Sequence, residues 1–578
     1  MRNELKMNRL FLSFAFLCAA NFSFSHSLIL SIFHSPVDYE ISLAGNFGEP
    51  RPHHFHGGLD IRTEGREGKH IYAIGDGYVS RVTSGLYGFG NAVYITHPSG
   101  YTSVYCHLKS FSPRIRAALL RYQYQHQTSV SDARLSPLDC PVSQGQFIAL
   151  SGNTGSSTAP HLHLEIHDTR TWDMLDPYPF LSDFINDTVP PRAHGFMACP
   201  QDDHSRFNGT SHSSLFTLNS SLTAWGRVGF ALWADDYMQE SYNHYGVRET
   251  HLLVDGKEVF SSCVDRIPVS QNRLVNSWGD YDHWLHRRAW YLRSYKEPGN
   301  TLAILHADQR RGIVDFSEER DYQLEYILRD YKGNESRYAF TVRGKPLSEE
   351  RASTAAANSS KATGRRDSGN LFTLHSSLSV PFRWNQTNNY SLPGMQLIVP
   401  YGLLTRDVTI HPSVEEATEL DALSDAYTFH DCSLPLVSDA SVSIYVQAPV
   451  EDPSKLYVTS NGKYMGGDYD EGWVKGRLRE LGATYQLAYD AEPPQVKPLS
   501  LTAPRLTISC SDKESGLDSW TATIDGRFVV FESIEKTSTF ACDLRETWLP
   551  RTGKPHQLLF TATDNRRNAR TLQATFVY

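Results

Sequence analysis

His161-Leu162-His163-Leu164-Glu165-Ile166-His167 alternates polar and apolar side chains at period two. In a strand this puts His161, His163, Glu165 and His167 on one face, and Leu162, Leu164 and Ile166 on the other. One face can enter a core while the other carries titratable groups. Two imidazoles two residues apart can share a pocket, one holding a metal while its neighbour works beside it. Taken alone, the segment reads equally well as a solvated, histidine-rich strand face.

A second segment supplies what the first lacks. In His54-Phe55-His56-Gly57-Gly58-Leu59-Asp60-Ile61, His56 and Asp60 are four apart, a helical spacing. Two adjacent glycines, each costing about 1 kcal/mol in a helix, argue for a turn that leads into a strand at Leu59. Such a turn lets His56 and Asp60 converge. With a histidine of the first segment they make a three-ligand set with a fourth position open to water, the layout of a catalytic zinc. Zinc would lower the pKa of that water toward about 7 and polarise a bound carbonyl. Tyr105-Cys106-His107-Leu108 closes another alternating run. By itself His107 reads as an ordinary core or surface histidine. Beside a metal it is a candidate acid, base or oxyanion donor.

These motifs lie in a Gly- and His-rich stretch from Phe33 to Leu181. Short strand-like runs there (Ile71–Ile74, Gly77–Val82, Ala92–Ile95) are divided by glycine turns, which predicts a compact antiparallel domain. Ile115, Leu119, Tyr122 and Gln123 sit near helical spacing, so a helical insertion is expected over about 112–141.

The set His56-x-x-x-Asp60, Tyr105-x-His107-Leu108, Gly152-Asn153-Thr154-Gly155 and Pro160-His161-Leu162-His163-Leu164-Glu165-Ile166 resembles the LytM/lysostaphin-type zinc metallo-endopeptidases. So does Ile71–Val79, which is similar to the strand-turn-strand after that family's first ligand motif. The resemblance covers about residues 45–181, with all motifs in the family's order. It implies a duplicated-hybrid-motif β fold and hydrolysis of peptide cross-links in peptidoglycan. By position, His56, Asp60 and His163 match the zinc ligands, His161 the general base and His107 the second catalytic histidine. Which histidine deprotonates the water is not decided by resemblance. The insertion is longer than in compact relatives and is expected to border the cleft. His53 and His54 are not read as ligands, and His97 and His167 read as structural.

The rest of the 578 residues sets the context. Lys and Arg total 55 and Asp and Glu 64, a net charge of −9 that argues against a nucleic-acid partner. Hydrophobic residues are 40% and charged residues 21%, ordinary for a globular chain. Arg2, Lys6 and Arg9 precede an apolar stretch, Leu10 to Ala20, with Ser23 and Ser25 beyond it. Residues 1–25 therefore read as a cleaved export signal, implying a bacterial periplasm or cell envelope. No other apolar run is long enough to span a membrane. The seven remaining cysteines are odd in number and scattered, not a disulfide framework. Cys510 and Cys542, or Cys106 and Cys140, could pair.

An internal repeat follows the first domain. Val254-Asp255-Gly256-Lys257-Glu258-Val259-Phe260 resembles Ile524-Asp525-Gly526-Arg527-Phe528-Val529-Val530-Phe531, and Asp330–Asn334 resembles Asp564–Asn568. A strand, an Asp-Gly hairpin and a late Asp-x-x-x-Asn turn fit a small sandwich. Asp512 and Glu514 read as turn residues, although acidic loops of such modules sometimes hold calcium.

The expected fold is mainly β: a peptidase domain at 26–189, an immunoglobulin-like sandwich at 190–345, a linker at 346–370, a further β domain at 371–492 and a second immunoglobulin-like sandwich at 493–578. The expected function is an exported Zn2+ endopeptidase acting on peptidoglycan stem or cross-link peptides, with an envelope protein as a possible partner. The alternative is an inactive scaffold that binds peptidoglycan or activates another hydrolase. The ligand set discriminates between them, and here it is complete.

Overall fold

The computed structural model describes residues 33–239, 241–346, 379–419, 421–534 and 537–578. The export signal expected at 1–25, and all but the first residue of the linker expected at 346–370, lie outside the described residues. Strands dominate throughout.

The site is built on the first sheet. Its antiparallel order is Leu43–Gly45, Leu59–Arg62, His161–Asp168, Tyr101–Cys106, Ala92–Thr96, Gly77–Ser84 and Ser131–Arg134. A smaller sheet, His70–Tyr72, Phe147–Ser151 and Leu108–Phe111, accompanies it. Leu59, Ile61, Val93, Ile95, Leu162, Leu164 and Ile166 share one buried core with Ile71 and Ile148. The odd–even division of the His161–Asp168 strand is thus realised: its aliphatic residues fill the core. A one-residue slip would exchange the two faces, so burying three large aliphatics, at about 1.5–3 kcal/mol each, fixes the register.

Register also decides what meets at the site. His163 lies opposite Asp60 on one neighbouring strand and opposite Cys106 on the other. His107 directly follows Cys106.

The insertion is only partly helical. The helix runs Pro113–His126, with Pro113 in its first turn and Gln127 in the left-handed conformation at its end. It buries Ile115, Ala118, Leu119 and Gln123. Residues 131–134 instead form an edge strand against Gly77–Ser84, with Ser131 and Ala133 buried and Asp132 and Arg134 exposed. That two-residue alternation is a strand pattern.

Three further groups of sheets follow. Strands from Arg192–Pro200 to Glu335–Gly344 join in one group, except Arg266–Ile267, which pairs with Met174–Leu175 on the first sheet; those from Val380–Phe382 to Thr484–Tyr489 form the next, and two four-stranded sheets lie between Gln495 and Val577. The repeat landmarks match in conformation. Asp255 and Gly256 have φ of 50° and 76°, and Asp525 and Gly526 have 49° and 80°. These are the positive values an Asp-Gly hairpin turn needs.

All seven described cysteines are free. Register explains this for the C-terminal pair. Cys542 lies opposite Leu506, four positions along the strand from Cys510, too far for a disulfide.

Candidate functional site

Three donor atoms from distant parts of the chain meet at one point. His56 Nε2 is 2.9 Å from Asp60 Oδ1 and 2.9 Å from His163 Nδ1. His163 Nδ1 is 2.8 Å from the same Asp60 oxygen. All three residues are buried.

The opposite side of each ring is occupied. His56 Nδ1 donates to the Asn46 carbonyl at 2.6 Å, and His163 Nε2 donates to Glu165 Oε1 at 2.9 Å. The inward nitrogens of neutral rings therefore carry lone pairs, aimed at each other and at a carboxylate oxygen. Three converging acceptors need a cation. In an ion-free site a proton serves. Burial alone depresses the His163 pKa, but its hydrogen bonds to Asp60 and Glu165 outweigh that and push it up to about 9. Burial takes His56 the other way, down to about 4.

Two imidazoles and one carboxylate are a donor set that fits zinc, and His56, Asp60 and His163 are the residues that would hold it. The site lines a cavity of about 970 Å³.

Two more histidines border this point. His161 Nε2 is 3.2 Å from Asp60 Oδ1, and its Nδ1 donates to the Ala159 carbonyl at 2.8 Å. His107 Nδ1 donates to the Thr154 carbonyl at 2.8 Å. The His107 ring centre is 5.0 Å from that of His161 and 5.8 Å from that of His163. Each ring is anchored at Nδ1, so Nε2 is the atom each turns toward the site, that of His161 lying against Asp60 Oδ1. Burial, with the nearby His163 and His161, takes the His107 pKa down to about 3. His107 has φ of 60°, a backbone conformation uncommon for a side-chain-bearing residue.

Local sequence explains these placements. A side chain on Gly58 would put a Cβ 2.1 Å from the Leu164 carbonyl oxygen. The glycine thus lets the His56–Asp60 turn lie against the central strand. In Gly152-Asn153-Thr154-Gly155, Thr154 accepts from His107 through its carbonyl and donates through Oγ1 to the Leu108 carbonyl at 3.0 Å.

All five sequence-predicted residues, His56, Asp60, His107, His161 and His163, come together. Sequence reasoning missed the groups behind them. Arg51 pairs with Asp60 Oδ2 at 2.7 Å. Glu165 bridges His163 and His167, meeting the latter at 2.7 Å, and His167 stacks on Trp172. The alternating strand carried that signal, since Glu165 and His167 continue the face of His163. Nothing in the sequence marked Arg51 or the Asn46 carbonyl.

The insertion does not border the cleft. None of its residues lines the cavity, whereas Asn243, Val269 and Asn272 from the following module do. The helix turns instead to the C-terminal module. Arg116 meets Glu532 at 2.7 Å and Glu546 at 2.6 Å, and Ser129 Oγ accepts from the Phe531 amide at 3.1 Å.

Residues 54–119 match peptidase family M23, and the chain carries an M23 peptidase domain of the LytM type. The match ends inside the Pro113–His126 helix, before the His161-x-His163 strand that the fold brings back to His56 and Asp60. Residues 379–490 match the Zu5-like domain.

Two curated proteins are similar to part of the chain. An uncharacterized metalloprotease of Haemophilus influenzae is 35% identical over 120 residues, 21% of this chain and 19% of that protein. The peptidoglycan DD-endopeptidase ShyA of Vibrio cholerae is 32% identical over 137 residues, 23% of this chain and 26% of that protein. The chain thus spans about a fifth to a quarter of the length of these relatives. The catalytic domain of lysostaphin from Staphylococcus simulans is 26% identical, covering 25% of this chain and 92% of that one, with a TM-score of 0.19. Among the described residues no helix is long and apolar enough to cross a membrane.

Proposed function

We propose that this protein is an exported zinc metallo-endopeptidase that hydrolyses peptide cross-links of peptidoglycan. The observation that carries the reading is the convergence of three lone-pair donors, His56 Nε2, Asp60 Oδ1 and His163 Nδ1, beside two further histidines in an open cavity. A similar protein is named a peptidoglycan DD-endopeptidase, which supports a cell-wall substrate and hence an extracytoplasmic place of work.

His56, Asp60 and His163 would hold the zinc, which when bound supplies a Lewis acid that acidifies a water and polarises the scissile carbonyl. His161 and His107, held at Nδ1, turn their Nε2 atoms toward the same space, that of His161 beside Asp60. A neutral imidazole there accepts the proton of the attacking water. Once protonated, the same atom donates, either to the oxyanion of the tetrahedral intermediate or to the departing amine. The carbonyls of Ala159 and Thr154 hold both rings in the required tautomer. Arg51 neutralises the outer oxygen of Asp60 and keeps the carboxylate turned inward.

The immunoglobulin-like modules proposed after the catalytic domain would position it, and the second of them contacts its helix directly. The test is to incubate the purified protein with peptidoglycan, with and without a zinc chelator, and to identify released fragments by mass spectrometry. Chelator-sensitive loss of cross-linked species is expected. Intact cross-links with zinc shown to be bound would overturn the reading in favour of a binding or regulatory protein.

A further inference from the structure

Away from the histidine site, two places each bring three carboxylates together. The candidate ligand oxygens of Asp187, Asp236 and Asp330 lie within 4.8 Å of one another, and so do those of Asp490, Asp512 and Asp564. Among the described residues, no lysine or arginine side chain forms an ion pair with any of the six.

The two clusters are built alike. Asp330 Oδ1 accepts from the Asn334 amide at 2.9 Å and its Oδ2 from Asn334 Nδ2 at 2.6 Å. Asp564 does the same with Asn568, at 2.9 and 2.8 Å. Asn334 Nδ2 also reaches the Asp187 carbonyl at 3.4 Å, and Asn568 Nδ2 the Asp490 carbonyl at 2.8 Å. Asp187 precedes the strand Arg192–Pro200, and Asp490 precedes Gln495–Ser500. Asp236 directly follows the strand Leu222–Asp235, and Asp512 directly follows Arg505–Ser511. Each triad therefore joins the segment entering a module, the end of an early strand and the late Asp-x-x-x-Asn turn. Asp512 is also the turn residue its sequence suggests, its Oδ1 accepting from the Gly516 amide at 2.7 Å.

Each place also has an unanswered polar atom. Asp236 is 4% exposed, and its Oδ1 has no hydrogen-bond partner. Nor has the hydroxyl of buried Tyr178. Burial, and then the charges of Asp187, Asp330 and Asp236, push the Tyr178 pKa upward. At the second cluster, Ser515 is 3% exposed and its Oγ is unpaired, while its amide donates to Asp490 Oδ2 at 3.1 Å.

Carboxylates at this spacing repel; all three are buried in the first triad, and in the second Asp490 and Asp564 are buried and Asp512 half-buried. Burial, and for Asp236 the neighbouring Asp187, pushes Asp187 to about 7 and Asp236 to about 9. A divalent cation relieves the same repulsion and gives the unpaired Asp236 Oδ1 a partner. The donors are all oxygen, which selects a hard ion. Calcium accepts irregular shells of 6–8 oxygens, whereas magnesium demands a near-ideal octahedron.

We propose that the Asp187/Asp236/Asp330 and Asp490/Asp512/Asp564 triads are two equivalent calcium sites, each pinning the segment that enters a module to the body of that module.

The experiment uses the full-length, zinc-loaded protein and calcium chloride. Equilibrium dialysis should give two calcium ions per chain, with Kd of about 10⁻⁴–10⁻³ M by analogy with extracellular modules. Calcium at 10 mM should raise the Tm by several degrees, reversed on dialysis into calcium-free, zinc-containing buffer and not reproduced by magnesium. Asp236→Asn and Asp512→Asn should each leave one ion bound, and the double variant none. The wild-type stoichiometry decides the matter even if a variant misfolds. No calcium uptake at 10 mM, an equal response to magnesium, or two ions retained by a folded double variant would each overturn the proposal.

Discussion

Asn46 and Gly246 exchange two hydrogen bonds, each 2.8 Å long, across 200 positions of sequence. The carbonyl of the same asparagine holds His56 Nδ1. A loop of the module after the peptidase domain thus braces the segment that orients a proposed metal ligand. Asn243 adds a hydrogen bond to the Ala44 carbonyl at 2.7 Å.

Asn46→Ala removes both exchanged hydrogen bonds and leaves the His56 acceptor in place but loosely held. Loss of support behind a ligand typically weakens metal binding by about 10–100-fold. Zinc competition against a chromogenic chelator should show a fall in that range with the fold retained. Unchanged affinity would mean that His56 is oriented without this clamp.

Glu165 accepts from His163 and His167 while buried. Glu165→Gln keeps the shape but removes the charge and gives one of the two rings a mismatched partner. About 10–100-fold weaker zinc binding and a parallel loss of hydrolysis are expected. His167→Gln should have a smaller effect, since it touches the metal ligands only through Glu165.

Asp176 gives a pH signature. Burial pushes its pKa from 3.8 to about 7, against the Tyr178 amide hydrogen bond and Arg248, which lower it. The folded value lies above the unfolded one, so this residue's contribution is fully present below about pH 4 and is lost as pH rises through about 7. Asp176→Asn should gain stability relative to the parent above pH 7, by an amount on the order of 1–3 kcal/mol. The two should converge toward pH 4. Denaturant melts at pH 5 and pH 8 measure it, and equal differences at both would contradict the assignment.

Arg116→Ala cuts the ion pairs to Glu532 and Glu546. Charged hydrogen bonds of this kind are worth about 1.5–3 kcal/mol each when buried and less when partly exposed, as here. Faster hydrogen exchange is expected in the Pro113–His126 helix and in the facing strand. Zinc affinity should stay constant, because the helix does not line the cavity.

The strand alternation from His161 to His167 made both the sheet face and the paired histidines legible, because period two is a local property. Gly57-Gly58 signalled a turn for the same reason. The contribution of Asn46 is a backbone carbonyl, which any residue has, and its partner Gly246 lies in another module. Arg51 resembles any surface arginine until register brings Asp60 beside it. The path of the insertion was misread because its helical spacing shows which face is buried and not what buries it. That partner, the C-terminal module, lies about four hundred residues away.

This last contact has a consequence for the topology of the whole chain. The parts before and after residues 347–378 hold each other at two separated places. One is the Arg116 clasp with Glu532, and the other includes Arg273 with Asp439 at 2.9 Å and the Gly299 amide with the Thr405 carbonyl at 2.8 Å. Together with the covalent connection, these close the polypeptide into a ring. Breaking the ring at any one point leaves two other fastenings, so a proteolytic nick between residues 347 and 378 should yield two pieces that still migrate as one particle.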